Sequence, residues 1–132
     1  MRLFFSKAHL DCELFFSNSK FKGWGSTENV ARYTPERLQQ ASLPVVKSPH
    51  KGCRFYREVV CVGHGFGNQT DGTQYPNACR GDSGGPLMCQ RKDGSWQVEG
   101  VASFVHTYCK YYTAYTPVNK FLFWIKQYVA GL

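Results

Sequence analysis

No stretch of this 132-residue sequence is apolar for long enough to cross a bilayer as a helix, so no membrane partner is expected. The opening "MRLFFSKAHLDCELFF" has a basic start at Arg2. Its apolar run of Leu3, Phe4 and Phe5 stops at Ser6 and Lys7, well short of a secretory leader. Cysteines at CxxC spacing are absent, as is any cysteine–histidine cluster with zinc spacing, which argues against a metal site; no cofactor is expected either. The 16 Lys and Arg outnumber nine Asp and Glu to give a formal charge of +7, yet they lie singly or in pairs. Without a basic run, nucleic acid is not an expected partner, and the charge reads as a solvated basic surface. Neither an internal repeat nor a low-complexity linker interrupts the chain. Its length and 42% hydrophobic content suit one compact domain with a real core.

What the sequence does have is cysteine. Six in so short a chain, at positions 12, 53, 61, 79, 89 and 109, imply an oxidising compartment and a secreted, extracellular protein. Such a protein should carry a leader. The chain is therefore expected to be incomplete at its start. A further secretory sign is "NQT", a glycosylation acceptor at Asn68, inside a glycine-rich polar loop running from His64 to Asn77.

The pattern along the chain is mostly that of short strands. "GWGSTEN" (23–29) reads as a strand ending in a loop. Pro44 forbids a helix through "RLQQASLPVV" (37–46), whose end is β-branched, and "REVVCVG" (57–63) is a short apolar run of strand type. "GPLMCQ" and "WQVEGVASFV" flank Asp93-Gly94, a strong hairpin-turn signal. "YTAYTPV" (112–118) alternates bulky and small residues as a strand would. At the end, Phe121, Trp124, Ile125, Tyr128, Val129 and Leu132 recur at three- and four-residue spacing after Asn119. These predict an amphipathic C-terminal helix capped by Asn119 and docked by its aromatic face. Short strands with one terminal helix suggest an all-β protein, a small barrel.

"NACRGDSGGPLMC" (77–89) carries the chemistry. Serine is a weak nucleophile at neutral pH and needs a base, together with donors aimed at the oxyanion it creates. Gly81, Gly84 and Gly85 allow the tight backbone that presents N–H groups to a carbonyl, and cysteines stand at both ends of the loop. Composition alone would fit a flexible turn; the complete string is far more specific.

"GDSGGPL" resembles the nucleophile motif of the chymotrypsin-like serine proteases. "GWG", "LQQASLP", "CVG", "GVASFV" and "FLFWIKQYV" follow in that family's order, and the likeness is greatest to its elastase-like branch. The resemblance covers residues 23–132, with residues 1–22 an atypical segment. It implies the second Greek-key β-barrel of a two-barrel fold, with one C-terminal α-helix. It makes Ser83 the nucleophile of an acyl-enzyme mechanism and the N–H groups of Ser83 and Gly81 the oxyanion hole. Asp82 becomes the carboxylate that pairs with a new N-terminal amine after zymogen cleavage. Asn77 would floor the specificity pocket, with Ala78, Cys79 and Arg80 along one wall and Ser103, Phe104 and Val105 along the other, and Thr113 near its mouth. An uncharged floor narrowed by Val105 and Thr113 implies preference for small apolar residues. The implied disulfides are Cys79–Cys109, Cys53–Cys61 and Cys12–Cys89. Protein or peptide substrates and protease inhibitors are the implied partners, and the complete protein is expected to be a monomer.

The family draws its histidine and aspartate from the first barrel and the linker region. This sequence has no "AAHC" segment, no activation sequence of the Ile-Val-Gly-Gly kind and no clear aspartate segment. His50, His64 and His106 fall where the family has loops. His9 in "KAHLDC" is not followed directly by cysteine and lies too close to Asp11 to stand for separate elements. The expectation is a fragment of a secreted elastase-like endopeptidase, inactive alone, or else a non-catalytic homologue serving as a binding module. Arg80-Gly81-Asp82 also spells an integrin-type tripeptide, but Asp82 is expected to point inward, which leaves adhesion the weakest alternative.

Overall fold

The computed structural model describes residues 19–27, 34–45, 53, 58–64 and 75–129. Six strands, β1 (Ser19–Gly23), β2 (Gln39–Ser42), β3 (Val60–Val62), β4 (Pro86–Gln90), β5 (Trp96–Val105) and β6 (Thr113–Pro117), form one antiparallel sheet in the order β2-β1-β4-β5-β6-β3. The edges meet. Just beyond β2, Val45 bridges Val62 of β3, and the Gly63 N–H donates to the Pro44 carbonyl at 2.9 Å, so the sheet curls into a barrel. Closure of this kind protects edge strands that would otherwise present unpaired backbone groups.

Alternation along the strands fills the interior. Phe21, Leu43, Val62, Leu87, Ala102 and Tyr115 belong to one buried cluster, with Leu87 and Tyr115 fully inaccessible. Removing a buried leucine such as Leu87 to alanine costs about 2–5 kcal/mol, because a cavity remains where close packing was. The predicted β4–β5 hairpin is present at Asp93-Gly94. Gly94 takes φ +83°, and Asp93 Oδ1 accepts from the Ser95 N–H at 2.9 Å and the Ser95 hydroxyl at 2.6 Å.

Two irregularities in β5 bear on the site. Leu87 pairs with Gly100 but Met88 with Val98, leaving Glu99 as an extra residue. Ala102 pairs with Tyr115 but Phe104 with Ala114, so Ser103 is a second bulge. A bulge re-aims the side chains after it, and here the re-aimed residues are 103–105.

The C-terminus differs from the sequence expectation. A 3-10 turn, Val118–Phe121, precedes a short helix, α1 (Leu122–Lys126). Asn119 lies inside the turn and caps nothing; Phe121 precedes the helix without a side-chain cap. The aromatic face is not the docked face, since Phe121 is 47% exposed, Trp124 58% and Tyr128 73%. Val118 is buried, and Leu122 and Ile125 are half-buried. Val129 of the expected face is exposed with the rings. The expected segment's last residues, 130–132, lie outside the described residues.

Candidate functional site

The turn from Cys79 to Gly85 is built by backbone hydrogen bonds and fastened to β5. The Asp82 N–H donates to the Cys79 carbonyl (3.1 Å) and the Gly85 N–H to the Asp82 carbonyl (2.9 Å). Gly84 N–H donates to the Ala102 carbonyl, and Ala102 N–H to the Gly85 carbonyl, both at 2.9 Å. Gly81 (φ +95°) and Gly84 (φ +80°) occupy left-handed backbone that residues with a Cβ adopt only under strain. With this path, Ser83 stands exposed at the tip. The N–H groups of Gly81 and Ser83 donate to no other described residue.

Asp82 faces the other way, 6% exposed. Its Oδ1 accepts from the Gly25 N–H at 2.7 Å and its Oδ2 from the Cys79 N–H at 2.9 Å. The Ser26 N–H, donating to the Arg80 carbonyl at 2.8 Å, adds a second link between the two loops. Gly25 and Gly23 are glycine for steric reasons: a Cβ at either would overlap the Asp82 carboxylate. The expected strand end and loop at "GWG" are present, but this use of the two glycines was not foreseen; the glycine pair is the signal that could have found it. Among the described residues no cation pairs with Asp82. Its inward aim removes the acid of the Arg80-Gly81-Asp82 tripeptide from the surface.

Beside Ser83 lies a cavity of about 110 Å³ lined by Ala78, Cys79, Arg80, Asp82, Ser83, Ala102, Ser103, Phe104, Val105 and Thr113. Ala102 and Asp82 line it in addition to the expected walls. Thr113 lines the cavity, is fully buried, and its hydroxyl donates to Asn77 Oδ1 at 2.5 Å. Asn77 Oδ1 also accepts from the Ala78 N–H at 3.1 Å, and Asn77 itself is not among the residues lining the cavity. Cys79 is joined to Cys109, with Cα atoms 5.1 Å apart, which ties one wall to the loop between β5 and β6. Cys53 is joined to Cys61. Cys89 is also disulfide-bonded; its implied partner Cys12 lies outside the described residues, as do Asn68, His9 and His50.

Close by, the Tyr115 phenol is pushed up, first by burial and then by the Asp82 charge. Its hydroxyl is buried with no hydrogen-bond partner among the described residues. Ser83 Oγ likewise makes no hydrogen bond to a described residue. Of the described histidines, His64 stacks on Tyr75 at 4.0 Å, and His106 sits edge-on to Tyr111 and Tyr112 with Nδ1 2.9 Å from the Thr107 carbonyl.

The Trypsin family model matches residues 17–125. The chain belongs to the trypsin family. It is similar to proproteinase E of Bos taurus, 40% identical over 119 residues that make up 83% of this chain and 43% of that protein. Chymotrypsin-like elastase family members 3A and 3B of Homo sapiens are each 38% identical over 119 residues, covering 83% of this chain and 40% of theirs. The chain thus spans less than half the length of these curated relatives. For a trypsin-family chain, the antiparallel barrel with a short terminal helix is the chymotrypsin-like architecture.

Proposed function

We propose that this chain supplies the nucleophile half of a secreted serine endopeptidase that cuts after small apolar residues. The observation that carries the reading is the Gly81–Ser83 turn, with two N–H groups that donate to no other described residue and an exposed serine beside a cavity of about 110 Å³. In the proposed reaction Ser83 Oγ attacks the scissile carbonyl while a base takes its proton. The oxyanion is received by the Gly81 and Ser83 N–H groups, and collapse leaves an acyl-serine that water hydrolyses. Each such donor is worth about a hundredfold or more in rate. Val105 and Thr113 leave room for an alanine or valine side chain, in keeping with the names of the elastase relatives.

The base and its orienting carboxylate would come from a first barrel outside residues 23–132, and Asp82 would take a new N-terminal amine as its partner after activation. The relatives' greater length and the "pro" in the name of proproteinase E support both points. A second reading, a non-catalytic homologue that only binds, is favoured by the lack of any base on Ser83 Oγ among the described residues.

A fluorophosphonate probe separates the two. The 132-residue chain is expected to stay unlabelled, and the chain completed with the N-terminal half of an elastase relative is expected to label at Ser83 and lose the label in Ser83→Ala. Labelling of the chain alone would contradict the need for an outside base. An unlabelled, folded, completed protein would establish the binding module instead.

A further inference from the structure

Among the described residues, those other than glycine that take left-handed backbone are Tyr108 (φ +63°), Cys109 (φ +54°) and Tyr111 (φ +69°), and all lie in the loop between β5 and β6. In that region the Cβ crowds the following carbonyl oxygen, so each residue is held there against a cost. Pairing of β5 with β6 ends at Val105 and Thr113, and residues 106–112 must turn the chain between them. The His106 N–H donates to the Tyr112 carbonyl at 3.0 Å and the Cys109 N–H to the His106 carbonyl at 2.9 Å. The covalent hold is the bond from Cys109 to Cys79. Cys79 is buried, whereas Cys109 is half-buried between exposed Tyr108 and Lys110, so Cys109 is the approachable end. Arg80 and Lys110, next in sequence to the two cysteines, are exposed cations that favour approach of an anionic thiolate. The Cys53–Cys61 bond is placed differently: Cys53 is buried and Cys61 is held in β3 opposite Ala114.

We propose that Cys79–Cys109 is a redox-labile clasp, opened by a dithiol reductant while the barrel stays folded. One thiolate of the reductant attacks Cys109 Sγ, forming a mixed disulfide and expelling Cys79 as thiolate. The second thiolate of the reductant attacks its own sulfur in the mixed disulfide, closes a cyclic disulfide and releases Cys109. Two electrons pass from the dithiol to the protein, and the two cysteines take up the protons that the dithiol gave off. Opening frees residues 108–111 to leave the left-handed region and unties the cavity wall at Cys79 from the loop. Relief of backbone strain favours the reduced form, and strained or exposed disulfides are the labile ones. The inference rests on the backbone of this loop and needs no reactive serine.

The test is incubation of the complete oxidised chain with dithiothreitol without denaturant, quenching with iodoacetamide, and mass spectrometry of the cysteine peptides. Cys79–Cys109 is expected to open roughly tenfold or more faster than Cys53–Cys61. Hydrogen exchange should rise at residues 106–112 and stay low in β4. Tyr108→Gly admits the left-handed backbone without strain, and should lower the reduced fraction at equilibrium by roughly threefold or more. Tyr108→Ala removes the same exposed ring but keeps the Cβ, and should leave that fraction unchanged. Opening of Cys53–Cys61 first or at the same rate would overturn the proposal, as would loss of protection in β4 together with the opening. An equal effect of the glycine and alanine variants would also overturn it, because the lability would then owe nothing to the strained backbone.

Discussion

Gly25→Ala tests whether the nucleophile turn is held by its link to the Gly23-Trp24-Gly25 loop. A Cβ at position 25 would overlap Asp82 Cγ and both carboxylate oxygens. Asp82 is 6% exposed and cannot swing into solvent without opening the turn. Making room breaks the 2.7 Å bond from the Gly25 N–H and disturbs the 2.9 Å bond from Cys79. Hydrogen bonds to a charged group are worth about 1.5–3 kcal/mol each, and depriving a buried charge of its partners costs about 3–5 kcal/mol. The expected loss is therefore about 3–5 kcal/mol, against a total stability on the order of 5–15 kcal/mol for a domain. Urea unfolding followed by tryptophan fluorescence measures it, and a thermal melt should fall by roughly 10–20 °C. Gly94→Ala is the control. Gly94 has φ +83° but open space around its Cβ position, so only the backbone term of about 1–2 kcal/mol should be lost. In an Asp82→Ala background the added cost of Gly25→Ala should shrink by about 2 kcal/mol or more, because the overlapping group is gone. A loss below about 1 kcal/mol for Gly25→Ala, or full additivity with Asp82→Ala, would refute the link.

Tyr115→Phe removes a buried hydroxyl with no partner among the described residues, so stability at neutral pH should stay level or rise by about 1 kcal/mol; a loss above that would show a missed bond. Because the folded phenol is raised, its contribution is complete below the ordinary value of 10.0 and declines as pH climbs above it. Tyr115→Phe should therefore unfold at higher alkaline pH than the parent. Asp93 is lowered first by the Ser95 hydroxyl and then by the Ser95 N–H. Its contribution holds above the ordinary 3.8 and is lost as pH falls through the folded value, and an NMR titration of Ser95→Ala should show Asp93 moving up toward 3.8. In the completed enzyme, Val105→Gly with Thr113→Gly should shift cleavage roughly tenfold from valine toward phenylalanine substrates; an unchanged ratio of kcat/KM would place the specificity elsewhere.

Local chemistry was legible in the sequence where one stretch decides it. Asp93-Gly94 forces the hairpin, the β-branched residues around Cys61 form a strand, and the "GDSGGP" string places an exposed serine between left-handed glycines. Features set by distant pairs were not. The bond between Gly25 and Asp82 spans 57 positions, and the bulge at Ser103 exists only as a mismatch of register between β5 and β6. The hydrogen bond that joins Thr113 to Asn77 likewise spans 36 positions. The helix failed for another reason. From Phe121 to Ile125 every residue is apolar, so periodicity cannot choose a face. Val118 is buried and Leu122 and Ile125 are half-buried, while the rings of Phe121, Phe123, Trp124 and Tyr128 stay exposed.

The geometry of the turn is separable from the supply of a base. Apart from the Cys79–Cys109 disulfide and the Asp82 carboxylate, the hydrogen bonds that shape Cys79–Gly85 join backbone groups, and that carboxylate is itself satisfied by backbone N–H groups. A buried anion satisfied by neutral donors does not need an ion pair to stay in place, provided the donors are fixed, as the strand ends and the Cys79–Cys109 disulfide fix them here. The donor pair at Gly81 and Ser83 should then persist whether or not a histidine ever reaches Ser83 Oγ. On the proposed reading, selectivity at the cavity would depend on Val105 and Thr113 and reactivity at the hydroxyl on residues that meet Ser83 from outside the turn, so each could be lost without the other.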